Sequence, residues 1–189
     1  MISSYAQNNY AEVFYSIVTG FKPVVCVELG ILHGYSTLAI ARGLEKNKQG
    51  HLDAYDLFDS YLYNHGDKEE VRQGLLEAGL ESYVTLNKDD AFCVHNNYQD
   101  NSVHFLHVDL SNTGEIVRKI MQTWDSKMIA GSLILFEGGT EERDKVEWVS
   151  KYNKEPIKPE LEKNPIIAER YIFGTYFKFP GLTVLLKKR

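Results

Sequence analysis

The chain has little that would staple it, anchor it in a membrane or attract it to a polyanion. Only two of its 189 residues are cysteines, Cys26 and Cys93, too few for a disulfide framework. Cys26 lies inside an apolar stretch, where a reduced thiol behaves as a small hydrophobe. No apolar run approaches the roughly 20 residues that a bilayer demands. The N-terminal stretch MISSYAQNNY has neither the basic segment nor the apolar core of a signal peptide, so the expectation is a cytoplasmic protein with no membrane partner. Positive charge is not in excess either. Lys and Arg number 21 against 26 Asp and Glu, a formal net charge of -5, and the basic residues are scattered, which argues against a nucleic-acid surface. Internal repeats, zinc-ligand spacing, a phosphate-loop lysine and a Ser-His-Asp order are also missing. The length suits one domain, residues 1–189.

What the chain does contain is regular alternation. Apolar residues at Tyr5, Val13, Phe14, Ile17 and Val18 predict an amphipathic helix over residues 4 to 19, stopped by Gly20 and Pro23. Val24 to Leu29 reads as a central strand, followed by a helix from about Ser36 to Leu44. A second strand is expected from Leu52 to about Leu57, an Asp-capped helix over 67 to 79, a short third strand from Tyr83 to Leu86, and a short helix in DDAFCVHNNY. Val103 to Val108 is the fourth strand, Thr113 to Trp124 the next helix and Leu133 to Phe136 the fifth strand. EERDKVEWVSKY is a charged helix candidate, KEPIKPELEKNP with its three prolines reads as a loop or lid, and RYIFGTYFKFPGLTVLLKK as two strands around Pro180 and Gly181. Strand and helix in alternation imply an α/β fold: a doubly wound, mostly parallel seven-stranded sheet with an antiparallel C-terminal hairpin. Tyr171, Phe173, Tyr176, Phe177 and Phe179 suit either the contact of a homodimer or core packing.

In such sheets ligands bind beyond the C-terminal strand ends. The first of those ends is VVCVELGILHGYSTLAIARGL, in which Glu28, Gly30, Gly34 and Ser36 form E-x-G-x-x-x-G-x-S. A buried strand turning on glycines into a helix N-terminus offers bare backbone amides to a ligand, and glycine permits backbone geometry closed to other residues. The dinucleotide fingerprint fits less well, because the glycines fall at the wrong offsets. The second strand closes at Asp56, 28 residues after Glu28, where a carboxylate suits the hydroxyls of a ribose; Asp59 competes for the position. Asp89, with Asp90 as its rival, follows the third strand, and Asp109 ends the fourth two residues after His107. His107 shares a face with Asp109, although a histidine satisfied within the sheet is the commoner use of such a residue. His33 lies inside the glycine turn, bordering a ligand or facing solvent.

The motif at Glu28 to Ser36 resembles motif I of the class I S-adenosylmethionine (SAM)-dependent methyltransferases. VHFLHVDLSNTGEIVRKIMQTWDSKMIAGSLILFEGG resembles the later part of the small-molecule O-methyltransferases of that fold, and the similarity spans residues 24 to 137. It implies a Rossmann-like methyltransferase fold with SAM as cofactor and a small-molecule acceptor. In that resemblance Glu28 holds the cofactor's amino-acid end, Gly30, Gly34 and Ser36 form the turn against it, Asp56 takes the ribose and Asp89 lies near the adenine. Asp109 and Glu137 are then the catalytic candidates, with Asp109 also able to meet the cofactor's amine. Some members hold a divalent cation with the acid ending strand four and an acidic or Asp-Asn pair ending strand five. Here Asp109 keeps the first position, Glu137 changes the second conservatively and Gly138 replaces the third. A non-catalytic member binding a nucleoside-like ligand or a protein partner, and an NAD-linked enzyme of the same sheet class, are the competing expectations.

Overall fold

A four-residue spacing of large apolar side chains starts the fold. Tyr10, Phe14 and Val18 are fully buried along helix α1 (Tyr10–Phe21). A preceding 3-10 turn, Ser4–Asn8, sets the Tyr5 ring against Tyr10 and Phe14, with centroids 5.2 and 5.1 Å apart. A computed structural model of the chain describes residues 4–189, so the first three residues of the N-terminal stretch lie outside the described residues. The chain clusters into two compact units, one ending at Val94 and the other starting at His95. Seven strands belong to one mixed sheet. No described helix is long and apolar enough to cross a membrane.

In the first unit, strand β1 (Val25–Leu29) runs parallel to β2 (His51–Asp56), with Glu28 opposite Ala54. Strand β3 (Val84–Lys88) pairs parallel to β2, with Asp56 opposite Lys88. Between β1 and β2 lies helix α2 (Tyr35–Asn47), longer at its C-terminal end than its apolar pattern predicts. It packs on α1 through Gly43. A Cβ at that position would stand 2.7 Å from the Val18 Cβ, so the missing side chain sets how closely the two helices approach. Helix α3 (Lys68–Glu77) begins at the expected Asp67, whose carboxylate accepts from the Glu69 and Glu70 amides at 2.7 and 3.2 Å. The helix expected in DDAFCVHNNY is a 3-10 turn at Val94–Asn97.

In the second unit, β4 (Val103–Val108) and β5 (Met128–Glu137) are parallel and joined by helix α4 (Gly114–Trp124). Thr113 caps α4, and Val117, Ile120, Met121 and Trp124 are fully buried on its inner face. β5 is ten residues long, starting well before the predicted Leu133. The segment predicted as one charged helix is two short ones, α5 (Glu141–Asp144) and α6 (Glu147–Lys151).

The proline-rich stretch read as a loop or lid is instead helical, as α7 (Ile157–Lys163) and α8 (Pro165–Arg170). Each proline sits where its missing N–H is harmless: Pro156 at the N-cap of α7, Pro159 in its first turn, and Pro165 at the first position of α8. The prolines thus start helices here rather than prevent them, and Ile157, Leu161 and Ile167 bury their side chains. The last two strands are β6 (Tyr171–Tyr176) and β7 (Leu182–Lys187), which pair antiparallel; β7 also pairs antiparallel to β5, leaving β6 at the edge. The seven-stranded, mostly parallel sheet with an antiparallel C-terminal hairpin is therefore the observed fold. Of the five aromatics in this stretch Tyr171 is core, whereas Phe173, Tyr176 and Phe177 are exposed.

Asp125 fastens the hairpin to the end of α4. It is 5% exposed, accepts from the Tyr171 hydroxyl at 2.8 Å and pairs with Arg170 and Lys187. Burial, with the Asp125 carboxylate beside it, pushes the Tyr171 phenol well above its usual range.

The α1–α2 contact yields a stability test. Replacing Gly43 by valine should lower the unfolding free energy by about 1–3 kcal/mol, the usual cost of overpacking a tight contact, read by urea denaturation. Adding Val18→Ala should recover part of the loss.

Candidate functional site

Glu28 is the least expected residue of β1, a carboxylate with no solvent exposure in an otherwise apolar strand. Its Oε2 accepts from the Thr37 hydroxyl at 2.5 Å, which ties the end of β1 to the first turn of α2. A carboxylate there is also favoured by the positive end of the 13-residue helix. The turn between them is held from outside. Asp56, at the end of β2, accepts the Ile31 and Leu32 amides on Oδ2 at 2.7 and 3.1 Å and the Phe58 amide on Oδ1 at 2.7 Å. Two strand-end carboxylates, one buried and one half-buried, thus frame the glycine turn from opposite ends.

The two glycines differ in what demands them. Gly30 has φ +91° and donates its amide to the Tyr55 carbonyl at 2.9 Å. Gly34 has φ +76°, and a Cβ there would lie 2.9 Å from Val71 of α3, so its observed close approach is to a neighbouring helix. Ser36 is buried in the first turn of α2, and His33 is exposed. Two contributors escaped the sequence reading. Thr37 has no motif that marks it as the partner of Glu28. Gly66 lies so close to the Leu32 carbonyl that a Cβ would overlap it, so the segment after β2 is laid against the turn; a lone glycine in a polar loop carried no signal of this.

Of the rival acids, Asp59 is exposed and spent on Lys88, whose ammonium lies 2.5 Å away and holds the Asp59 carboxyl below its ordinary range. Asp56 is thus the acid directed at the turn. Asp89 and Asp90 are both exposed; Asp89 donates its amide to the Asp56 carbonyl, and Asp90 accepts from the Phe92 amide at 2.9 Å. That hydrogen bond makes Asp90 the capping residue of its loop.

In the second unit the register of β4 and β5 pairs Val108 with Phe136, so Asp109 and Glu137 follow on neighbouring strand ends. Asp109 is half-buried and His107 fully buried in β4. Glu137 is 4% exposed; its Oε1 accepts from Arg143 Nε at 2.9 Å, and Nη2 of the same guanidinium lies 2.8 Å away as an ion pair. Asn112, in the loop after β4, is buried with its Oδ1 unpaired.

This arrangement does not fit a divalent cation. Such an ion wants several oxygen ligands in near-octahedral array, whereas the carboxylate ending β5 is already taken by a guanidinium, a cation that would repel the metal. Position 138, where a further ligand would stand, has φ +101°, a conformation strained for any side chain, and a Cβ there would crowd Ile157 at 3.2 Å and Arg143 at 3.4 Å. Among the described residues no group of three or more His, Cys, Asp or Glu is placed to hold a metal ion.

A family model described as a methyltransferase domain matches residues 27–137. The chain belongs to the methyltransferase-domain family. Membership agrees with the resemblance to class I SAM-dependent methyltransferases, and the match covers both strand-end acids of the first unit together with Asp109 and Glu137. No curated protein matches the chain in sequence. Among solved structures, this methyltransferase is similar in fold to an O-methyltransferase from Streptomyces achromogenes involved in tomaymycin synthesis, in complex with SAM, at 15% identity and a TM-score of 0.72, covering 100% of this chain and 82% of that one. It is similar also to an O-methyltransferase from Bacillus cereus in complex with SAH, at 16% identity and a TM-score of 0.70, covering 100% of this chain and 83% of the other.

Removing the clamp on the turn is a direct test of this geometry. Asp56→Ala strands three backbone amides, and leaving buried donors unpaired costs about 1–3 kcal/mol each where water cannot replace the acceptor. Stability should fall by at least the lower figure, and hydrogen exchange should quicken at Ile31, Leu32 and Phe58 while the β4 amides stay protected.

Proposed function

We propose that this chain is a SAM-dependent methyltransferase that transfers the methyl group to an oxygen of a small molecule. The observation that carries the reading is the glycine turn framed by the buried, Thr37-bound Glu28 and by Asp56, within a chain of the methyltransferase-domain family. Glu28 is assigned to the cofactor's amino-acid end, Gly30, Gly34 and Ser36 to the turn beside its sugar and methionine, and Asp56 to the ribose hydroxyls. Of the roughly four lone-pair sites of the Asp56 carboxylate the three amides use two on Oδ2 and one on Oδ1, which leaves one on Oδ1 to accept from a ribose hydroxyl. Asp89 is assigned to the adenine side and Asp109 to the methionine amine or the acceptor. Residues 1–189 act together as one methyltransferase-like domain. Its acidic charge and scattered basic residues suit a small acceptor rather than a nucleic acid, and its composition suits the cytoplasm. The exposed Phe173, Tyr176 and Phe177 at the edge strand suit a homodimer.

The chemistry asks little of the protein. The sulfonium of SAM is already activated, so the chain's residues must hold the cofactor, align an acceptor oxygen with its methyl group and exclude water. Asp109 and Glu137, on adjacent strand ends, are the acids assigned to that task, Glu137 through the guanidinium it holds. Neither needs to be part of a catalytic triad.

Isothermal titration with SAM and SAH should show saturable binding of both; no heat of binding at high micromolar ligand in folded protein overturns the reading. Glu28→Ala should weaken SAM about 10- to 100-fold, the loss expected for a hydrogen bond to a charged group, while circular dichroism stays native.

A further inference from the structure

The end of β5 carries a cation of its own. Arg143 is 12% exposed in its side chain, and Glu137 beside it 5%. Its position is fixed from several sides. Its amide donates to the Thr140 hydroxyl at 3.2 Å, and its guanidinium lies over the Trp148 ring, 5.5 Å from the centroid. The next residue, Asp144, accepts from the Ile157 and Lys158 amides at 2.8 and 3.0 Å, which joins α5 to the start of α7. Gly138 leaves the space into which the Arg143 stem packs. A long flexible side chain is thereby held as a rigid fixture.

Glu137 engages only part of this group. The Nε hydrogen bond and the Nη2 ion-pair contact both end on one carboxylate oxygen, whereas a guanidinium carries five N–H donors in a planar fork. Among the described residues Nη1 donates to no protein acceptor. A preorganised, mostly desolvated cation with spare donors at a strand's C-terminal end is suited to an anionic oxygen, because such charge-assisted bonds are about twice as strong as neutral ones.

We propose that Arg143 is the fixed cation of the acceptor side: it receives an ionised acceptor oxygen, a carboxylate or an acidic phenolate, and makes a divalent metal unnecessary. Glu137 is its positioning residue, holding the fork in place rather than acting as a free base. This rests on the methyltransferase reading. The step then balances without a proton acceptor. The acceptor oxyanion attacks the methyl carbon, the O–C bond forms as the C–S bond breaks, the electron pair returns to sulfur as a neutral thioether, and the positive and negative charges cancel.

The test uses the full chain saturated with SAH and two probes of similar shape, benzoate and neutral benzyl alcohol, with SAM titrated separately into each variant. Wild type should bind benzoate at least about tenfold more tightly than benzyl alcohol, as a charge-assisted bond predicts. Arg143→Ala should erase that preference and Arg143→Lys restore part of it, both with SAM affinity within about threefold of wild type. Magnesium titrated into wild type should give neither saturable heat nor a melting shift at millimolar concentration. Equal binding of the two probes by wild type, an unchanged preference in Arg143→Ala, or saturable magnesium binding would overturn the proposal. Failure of wild type to bind SAM overturns instead the reading on which it rests. Should Arg143→Ala not fold, Arg143→Lys and the wild-type probe and magnesium arms still decide.

Discussion

The Asp56 carboxylate is the constraint on which the glycine-turn end of the first unit depends. A turn that leaves a buried strand through Gly30 at φ +91° and Leu32 at φ +51° is unfavourable backbone, and Leu32 in particular has no glycine's freedom. Such a conformation persists only where neighbours over-determine it. Asp56 does this by taking two of the turn's amides on one oxygen and anchoring its own loop through Phe58 on the other. β1 and β2 are paired in register just below, with the Gly30 amide on the Tyr55 carbonyl. The carboxylate therefore completes a short, rigid ring of strand end, turn and strand end. Glu28 supplies the other fixed charge, bound to the helix that follows.

The acidic end of β5 follows a different logic. There the chain places a guanidinium in contact with Glu137 and a glycine beside it, and a buried ion pair of this kind is costly to break because either partner alone is an uncompensated charge. Such a pair does little for stability compared with apolar packing. Its value lies in fixing a direction for positive charge. The first unit thus holds two carboxylates fixed at the glycine turn, and the second a carboxylate held by one arginine.

Much of this was legible in the sequence. Strands β1, β2 and β4 fall within a residue or two of their expected bounds because each carries a short, mostly buried set of apolar residues bounded by turn or acidic residues, and Asp67 and Thr113 mark their helices by capping chemistry. The E-x-G-x-x-x-G-x-S pattern and Asp56 were visible because backbone geometry and strand-end position restrict the residue type. What stayed hidden depends on partners distant in sequence. Thr37 and Gly66 are ordinary residues until the contacts to Glu28 and Leu32 are seen. Arg143 lies in a charged segment that resembles any solvated helix, and only its packing over Trp148 and against Gly138 distinguishes it. The prolines at 156, 159 and 165 misled because each punctuates a loop as readily as it opens a helix, and the buried Ile157, Leu161 and Ile167 decide the matter.

The central claim is that the Glu28-to-Ser36 turn with Asp56 is where the cofactor binds. Hydrogen–deuterium exchange on the full chain, with and without saturating SAH, measures this most directly. The account predicts that added protection is strongest in peptides covering residues 28–36 and 54–60 and negligible in the α1 segment. Saturable SAH binding that leaves exchange in both peptides unchanged would contradict it.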